Sequence, residues 1–468
     1  MRHSNPGRVL QQMNLLRRQF AQSDELPFGN MLSSEMLREV LAEAKVTFVD
    51  RIYTPLTTLL VFLWQVISQD HSCRAAVSKL LAHRAAQGER SCSAETGGYC
   101  VARKRLPEPV FHSLVRKTGR QLHDQAPADW RFKGRAVKVF DGSTVSMPDT
   151  GANQAEYPQG PNQKPGVGFP IARIAAVFSL ACGAVIDWSI CRYQGKGQSE
   201  LGLLRLLRQA FQPGDVMLAD RYLCSWSELA ILRQHGVDFV ARIHQARKTD
   251  FRRGKRLGDN DHLATWKKPR KPEWMDQAQY DALPADMVVR EVRLEVRIPG
   301  FRPDRLTIAT SLLDVELFSL DDLTELYRQR WHAELDLRSL KQTMQMDVLR
   351  CKTPQLVRKE ISTHLLAYNL VRTIMAQAAT QHALAPRTIS FKGTLQTLIA
   401  FQPHWECAST DQFLHLHQEL LTAIVTHRVG DRPDRFEPRK RKRRPKPYSL
   451  LTQPRAQARE AMVRKRLK

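Results

Sequence analysis

Between residues 135 and 243 the chain alternates short apolar runs with turn signals in an order that few architectures accept. Residues 136–140 (AVKVF) run into Asp141-Gly142-Ser143-Thr144. Two longer runs rich in β-branched residues, 169–180 and 184–193, are separated by Cys182-Gly183 and read as a hairpin. Residues 199–211 carry leucines at helical spacing and stop at Pro213-Gly214, and 215–219 (DVMLA) is a short apolar strand that delivers Asp220. A second helix, 225–234, is closed by His235-Gly236, and 237–243 is another strand. The order is β-β-β-α-β-α-β, with an aspartate where the first and fourth strands are expected to end.

That order matches the ribonuclease-H-like fold, an α/β (α+β) core, and the flanking sequence divides around it. Residues 1–130 are predicted to form a helical domain: 34–45 and 71–84 have helical apolar spacing with Lys and Arg opposite, and 56–67 is a core helix between them. Its segment 99–106 (YCVARKRL) is expected to present a DNA-binding face; the alternative is a basic face that is only solvated. The core occupies 131–245, pauses for a β-rich insertion at 246–305, and resumes at 306–395. The insertion holds several Lys/Arg pairs, Trp266 and Trp274, and an alternating stretch at 287–298, and is expected to hang over the active site. A helical region (396–427) follows, then a basic tail (428–468). The tail contains PRKRKRRPKP at 438–447 and is expected to be a disordered arm that grips phosphates.

A formal net charge of +25 over 468 residues points to a polyanionic partner. A membrane is the weaker candidate, because the longest apolar run, 56–67, is interrupted by Thr57, Thr58 and Gln65 and is too short to span a bilayer. The first twenty residues contain no continuous apolar segment, so no secretory signal is predicted and the protein is expected to be intracellular. The eight cysteines form no CxxC pair, and neither KPGVGFP nor YQGKGQS has the spacing of a nucleotide-binding loop. Zinc, disulfides and a nucleotide cofactor are therefore not expected.

Residues 327–341 (YRQRWHAELDLRSLK) are predicted as helix, with a capping signal at Ser319-Leu320-Asp321-Asp322. Tyr327, Arg330, Glu334 and Lys341 fall in a stripe of roughly 60° beside Leu323, Leu326, Leu337, Leu340 and Met344. Charge pairs at i,i+4 would explain Arg330 and Glu334 alone. Asp141 and Asp220 favour a different account, because three carboxylates are hard oxygen donors that would hold divalent ions at a phosphodiester, with Tyr327, Arg330 and Lys341 on neighbouring phosphates. The other acids are set aside: Asp149 in a turn, Asp187 as the partner of an arginine, Asp336 and Asp347 off the stripe. His332 lies about 160° from Glu334 and faces elsewhere.

Tyr327, Arg330, Glu334 and Lys341 also reproduce the Y-x2-R-x3-E-x6-K signature of bacterial DDE transposases of the insertion-sequence-four family, spacing included. FDGSTVSMPD around Asp141 and GDVMLADRYLCSW around Asp220 resemble the family's two aspartate blocks, and the similarity spans roughly residues 100–450. The resemblance implies Asp141, Asp220 and Glu334 as catalytic metal ligands, Mg²⁺ as cofactor with Mn²⁺ able to substitute, and double-stranded DNA, as terminal inverted repeats and target, as substrate. It further implies a homodimer in the DNA-bound complex, a DNA hairpin intermediate, no membrane, and a cytoplasmic, nucleoid-associated location. Tyr327, Arg330 and Lys341 would contact phosphates, and Trp266, with Trp274 behind it, would stack a flipped base. The rival readings are a structure-specific nuclease that cuts without joining, and a catalytically silent DNA-binding regulator of the same fold.

Overall fold

A computed structural model of the chain describes residues 6–23, 26–48, 51–296, 304–405, 408–429 and 449–466. Six helices lead: α1 (Pro6–Arg18), α2 (Ser34–Glu43), α3 (Pro55–Ile67), α4 (Cys73–Ala86), α5 (Gly97–Arg105) and α6 (Glu108–Asp124). α3 starts at Pro55 with the Thr54 hydroxyl accepting from the Thr57 N–H; it is apolar except at Thr57, Thr58 and Gln65, and every residue of it is buried. Within the basic segment 99–106, Tyr99 and Arg103 turn inward, the guanidinium lying 4.7 Å from the Tyr99 ring and 5.0 Å from Phe62. Only part of that segment therefore faces solvent.

The core strands are β1 (Val137–Ser146), β2 (Ile171–Ser179), β3 (Val185–Arg192), β4 (Val216–Ala219) and β5 (Asp238–Arg242), with the short helix α7 (Gly151–Glu156) after β1, and α8 (Glu200–Leu207) and α9 (Trp226–Gln234) flanking β4. They lie in the order β3-β2-β1-β4-β5. β1, β2 and β3 pair antiparallel, whereas β4 runs parallel to both β1 and β5. This is the ribonuclease-H-like arrangement.

The insertion contributes β6 (Lys255–Gly258), β7 (Asp261–Lys267), α10 (Gln277–Asp281) and β8 (Asp286–Val296), and β9 (Asp304–Thr310) follows. β9 pairs antiparallel with β5 on one side and β8 on the other, so the core sheet continues as β5-β9-β8-β7-β6. The segment expected to hang over the acids instead extends the sheet sideways, because backbone pairing to β9 draws it to the far edge.

The remaining helices are α11 (Leu320–Gln329), α12 (Trp331–Arg338), α13 (Pro354–Gln381), α14 (Phe391–Trp405), α15 (Thr410–Thr426) and α16 (Arg455–Arg466). At 28 residues α13 is about 42 Å long. It packs against α3, α6, α14, α15 and β3, joining the leading helices to the sheet. The run 438–447 lies outside the described residues. Beyond it α16 is helical where an unstructured arm was expected, since 455–466 is free of Pro and Gly and dominated by the good helix formers Arg and Ala. Among the described residues no helix is long and apolar enough to cross a membrane.

Asn369 stitches these layers together. Its side chain accepts from the Val185 N–H (2.8 Å) and donates to the carbonyls of Val185 (2.9 Å) and Val115 (3.2 Å), serving β3 and α6 at once. α6 comes so close at Gly119 that a Cβ there would stand 1.9 Å from the Val185 oxygen. Asn369→Ala leaves both Val185 groups buried without partners and should cost on the order of 2–4 kcal/mol, read as a lowered midpoint in urea or thermal unfolding.

Candidate active site

Register places the two aspartates before any side-chain contact is considered. β1 and β4 are parallel neighbours whose last aligned pair is Val139 and Leu218. Asp141 and Asp220 each stand two residues further on, and side chains two apart share a face. That face carries Val137, Val139, Val216 and Leu218 into the same core cluster as Leu323, Leu326, Leu337 and Leu340 of the late helices. Both acids are thus presented to the element expected to supply the third.

β1 does not end at Asp141. It continues to Ser146 because β2 pairs with it throughout, from Asp141 opposite Ala176 to Ser146 opposite Ile171. β4 stops after Ala219, so the second half of β1 has one edge free of β4. Its end is joined by the chain following the late helices: the Ser146 N–H donates to Asp347 O (3.0 Å) and the Leu349 N–H to Ser146 O (2.9 Å). The Lys341 ammonium adds a bond to Ser143 Oγ at 2.9 Å.

The expected single helix through 327–341 is broken twice. α11 begins as predicted, with a reciprocal capping box between Ser319 and Asp322. At Arg330 the ladder tightens, since Arg330 N–H donates to Tyr327 O and Ala333 N–H to Arg330 O, both three residues back. After α12 it loosens into a π turn at Ser339–Thr343, where Met344 N–H reaches back five residues to Ser339 O. Tertiary packing overrides local propensity here, and the apolar positions stay buried on both sides of the breaks.

Asp141, Asp220, Glu334, Arg330 and Lys341 line one open cleft of about 540 Å³. Arg330 donates to Glu334 Oε1 at 2.7 Å. Burial pushes the Asp141 carboxyl up to about 6; the Gly142 N–H and Arg330 oppose the shift, while Glu334 and Glu200 add to it. Tyr327 is buried behind the cleft, and burial lifts its phenol to about 12, with Asp220 adding to the rise and Arg330 and Arg242 opposing it.

Sequence reasoning missed several neighbours. Ser143, Arg338 and Asp347 also line the cleft, and Glu200, paired with Arg173 at 3.0 Å, bears on Asp141. Asp347 was set aside on a helical wheel that does not apply past the π turn. Asp187 does pair as expected, with Arg116 at 3.2 Å and also His112 at 3.0 Å. His332 is half-buried, and the charges that bear on it are those of Arg387, Asp336, Arg372 and Arg328. The two tryptophans lie apart from the cleft. Trp266 is buried, its indole N–H donating to Glu291 (2.7 Å) with the Arg247 guanidinium 3.9 Å over the ring; half-buried Trp274 lies under Arg205 at 3.7 Å.

Among the described residues no three or more Asp, Glu, His or Cys side chains are gathered closely enough to hold a metal ion as they stand. The donor chemistry nonetheless fits one. Four carboxylates, those of Asp141, Asp220, Glu334 and Asp347, line the cleft, and Asp141 is held toward its neutral form by burial beside other acids, a penalty that a divalent cation relieves. Because the folded-state value of Asp141 exceeds its ordinary 3.8, its cost to stability is absent below about pH 4 and grows as pH rises through about 6. Asp141→Asn should therefore stabilise the metal-free protein by up to about 3 kcal/mol at pH 7.5 and by little at pH 4, as thermal midpoints at the two pH values will show.

Comparison with known proteins adds three findings. Residues 133–370 match the family model described as a transposase DDE domain. Transposase InsG for insertion sequence element IS4, from Escherichia coli strain K12, is 25% identical over 352 residues, 74% of this chain and 76% of its own length. A piggyBac transposase synaptic complex with hairpin DNA, determined by cryo-EM, aligns with 88% of this chain and 85% of its own, at 10% identity and a TM-score of 0.41.

Proposed function

The chain belongs to the transposase DDE-domain family, and from that premise we propose that it excises an insertion sequence and joins it to target DNA, with Asp141, Asp220 and Glu334 as its catalytic acids. The observation that carries this is the convergence of the three acids, drawn from β1, the end of β4 and α12, on one cleft. Family members generally use divalent ions, and we take the cofactor here as Mg²⁺, held by these three side chains. When bound it supplies an activated nucleophile and neutralises charge on the scissile phosphate.

The remaining roles belong to the chain's own groups. Water attacks the phosphodiester at the element's end and releases a 3′-hydroxyl; that hydroxyl then attacks the opposite strand to close a hairpin, and after reopening attacks the target. Arg330 and Lys341 stand on the cleft wall, where their cationic groups hold flanking phosphates and set the scissile bond between the acids. Tyr327 is buried beside Arg330 and supports it from behind, the guanidinium charge bearing on its phenol. For Trp266 to stack an extruded base, Arg247 must first leave its ring. The leading helices bind the terminal repeats, and two copies pair the ends. The charge of +25 supports a DNA partner, with binding steeply dependent on salt.

A cleavage assay on DNA carrying the element's own ends tests the reading. Asp141→Ala, Asp220→Ala and Glu334→Gln should each reduce Mg²⁺-dependent cutting by at least about a thousandfold while end binding stays near normal. Cutting without joining when a target is supplied favours the nuclease, and binding without cutting favours the silent regulator. Lys341→Ala removes a charge from the cleft and one bond to Ser143. It should weaken assembly on cleaved ends at least tenfold in gel-shift titrations while costing only about 1 kcal/mol of folding stability.

A further inference from the structure

α12 is eight residues long and is bounded by a tightened step at Arg330 and a π turn from Ser339. Its own ladder therefore cannot fix where Glu334 stands. The opposite face of the helix carries Asp336, two positions on and about 200° around. Asp336 is fully buried, with a side-chain exposure of 0%. It accepts from Arg387 Nη1 on both oxygens, at 2.7 and 2.8 Å, and from Arg372 Nη2.

Each arginine is itself anchored. Arg372 rises from α13 and donates to the Tyr368 hydroxyl at 2.8 Å. Arg387 donates to the carbonyls of Leu180 and Ser179, both at 2.8 Å, at the β2–β3 hairpin turn. The turn makes room for them at Gly183, where φ is +81°: a Cβ there would stand 2.8 Å from Arg372 Cζ and 2.9 Å from Arg387 Nη1.

We propose that Asp336 is a positioning residue for the transposase reaction: clamped between Arg372 and Arg387, it ties α12 to α13 and the β2–β3 turn and holds the Glu334 carboxylate in register with Asp141 and Asp220. This rests on Glu334 being the third acid. Asp336 touches neither DNA nor metal in this scheme. Its charge, shared by two anchored guanidiniums, gives a broken helix the rigidity that an unbroken one would have for itself.

Asp336→Asn keeps the shape and removes the charge; Arg387→Gln weakens the clamp from the other side. Three readouts separate positioning from mere folding: end binding, the Mg²⁺ concentration for half-maximal end cleavage, and amide hydrogen exchange in 331–338 against 361–379. With Asp336→Asn, end binding should stay within about twofold, the Mg²⁺ half-point should rise about tenfold or more, and exchange should quicken in 331–338 alone. Arg387→Gln should move the same quantities in the same direction, and it decides the matter if Asp336→Asn does not fold. An unchanged Mg²⁺ half-point, or activity lost only in proportion to folded protein, overturns the proposal. If the wild type does not cut at any Mg²⁺ concentration, the catalytic reading fails separately; unchanged exchange in 331–338 would then still overturn the clamp.

Discussion

The site depends on a mismatch in length between the two neighbours of one strand. β1 is paired along its whole second half by β2, whereas β4 gives out after three aligned pairs. Had β4 been as long as β2, backbone hydrogen bonds would have sealed the edge where Asp141 now stands open. Because it is short, Asp220 is released into a turn beside Asp141, and the chain following the late helices bonds to the end of β1. Strand registry thus sets two of the acids, and the opening it leaves admits Lys341 and Asp347.

The third acid arrives by a different logic. The apolar stripe from Leu323 to Met344 seats α11 and α12 on the same sheet face as the two aspartates, but the helix is tightened at one point and loosened at another along the way. Across those irregularities the leucines stay buried and the charges stay on the cleft. Such breaks have a cost in local hydrogen-bond geometry. Interactions on the back of α12, with α13 and the hairpin turn, offset it.

Much of this was legible in the amino acids. Strand order, the hairpin at Cys182-Gly183, the capping box at Ser319 and the pairing of Asp187 with an arginine all follow from residues close in sequence or from unambiguous local chemistry. What escaped was set by distant partners. The length of β1 is decided by β2, some thirty residues later. The insertion reads as β structure, yet nothing local says that β8 will join β9 and carry it away from the cleft. Trp266 looks like an available aromatic until Glu291 and Arg247 are brought to it. Asp347 was judged by a periodicity that stops applying four residues earlier, at the end of the π turn.

The leading helices have a consequence for how the chain is made. α3 is buried on every side, and what covers it includes α13, almost three hundred residues downstream. Side chains from the late helices also bond back to the start: Gln402 to the Gln19 carbonyl at 2.9 Å and Gln377 to that of Ala21 at 3.3 Å. A ribosome adding about 5–20 residues per second needs on the order of tens of seconds to travel that distance. Throughout that interval α1, α4 and α5 cover part of α3, while the face that α13 packs against stays in water, an apolar surface that the growing chain carries until its last third is made.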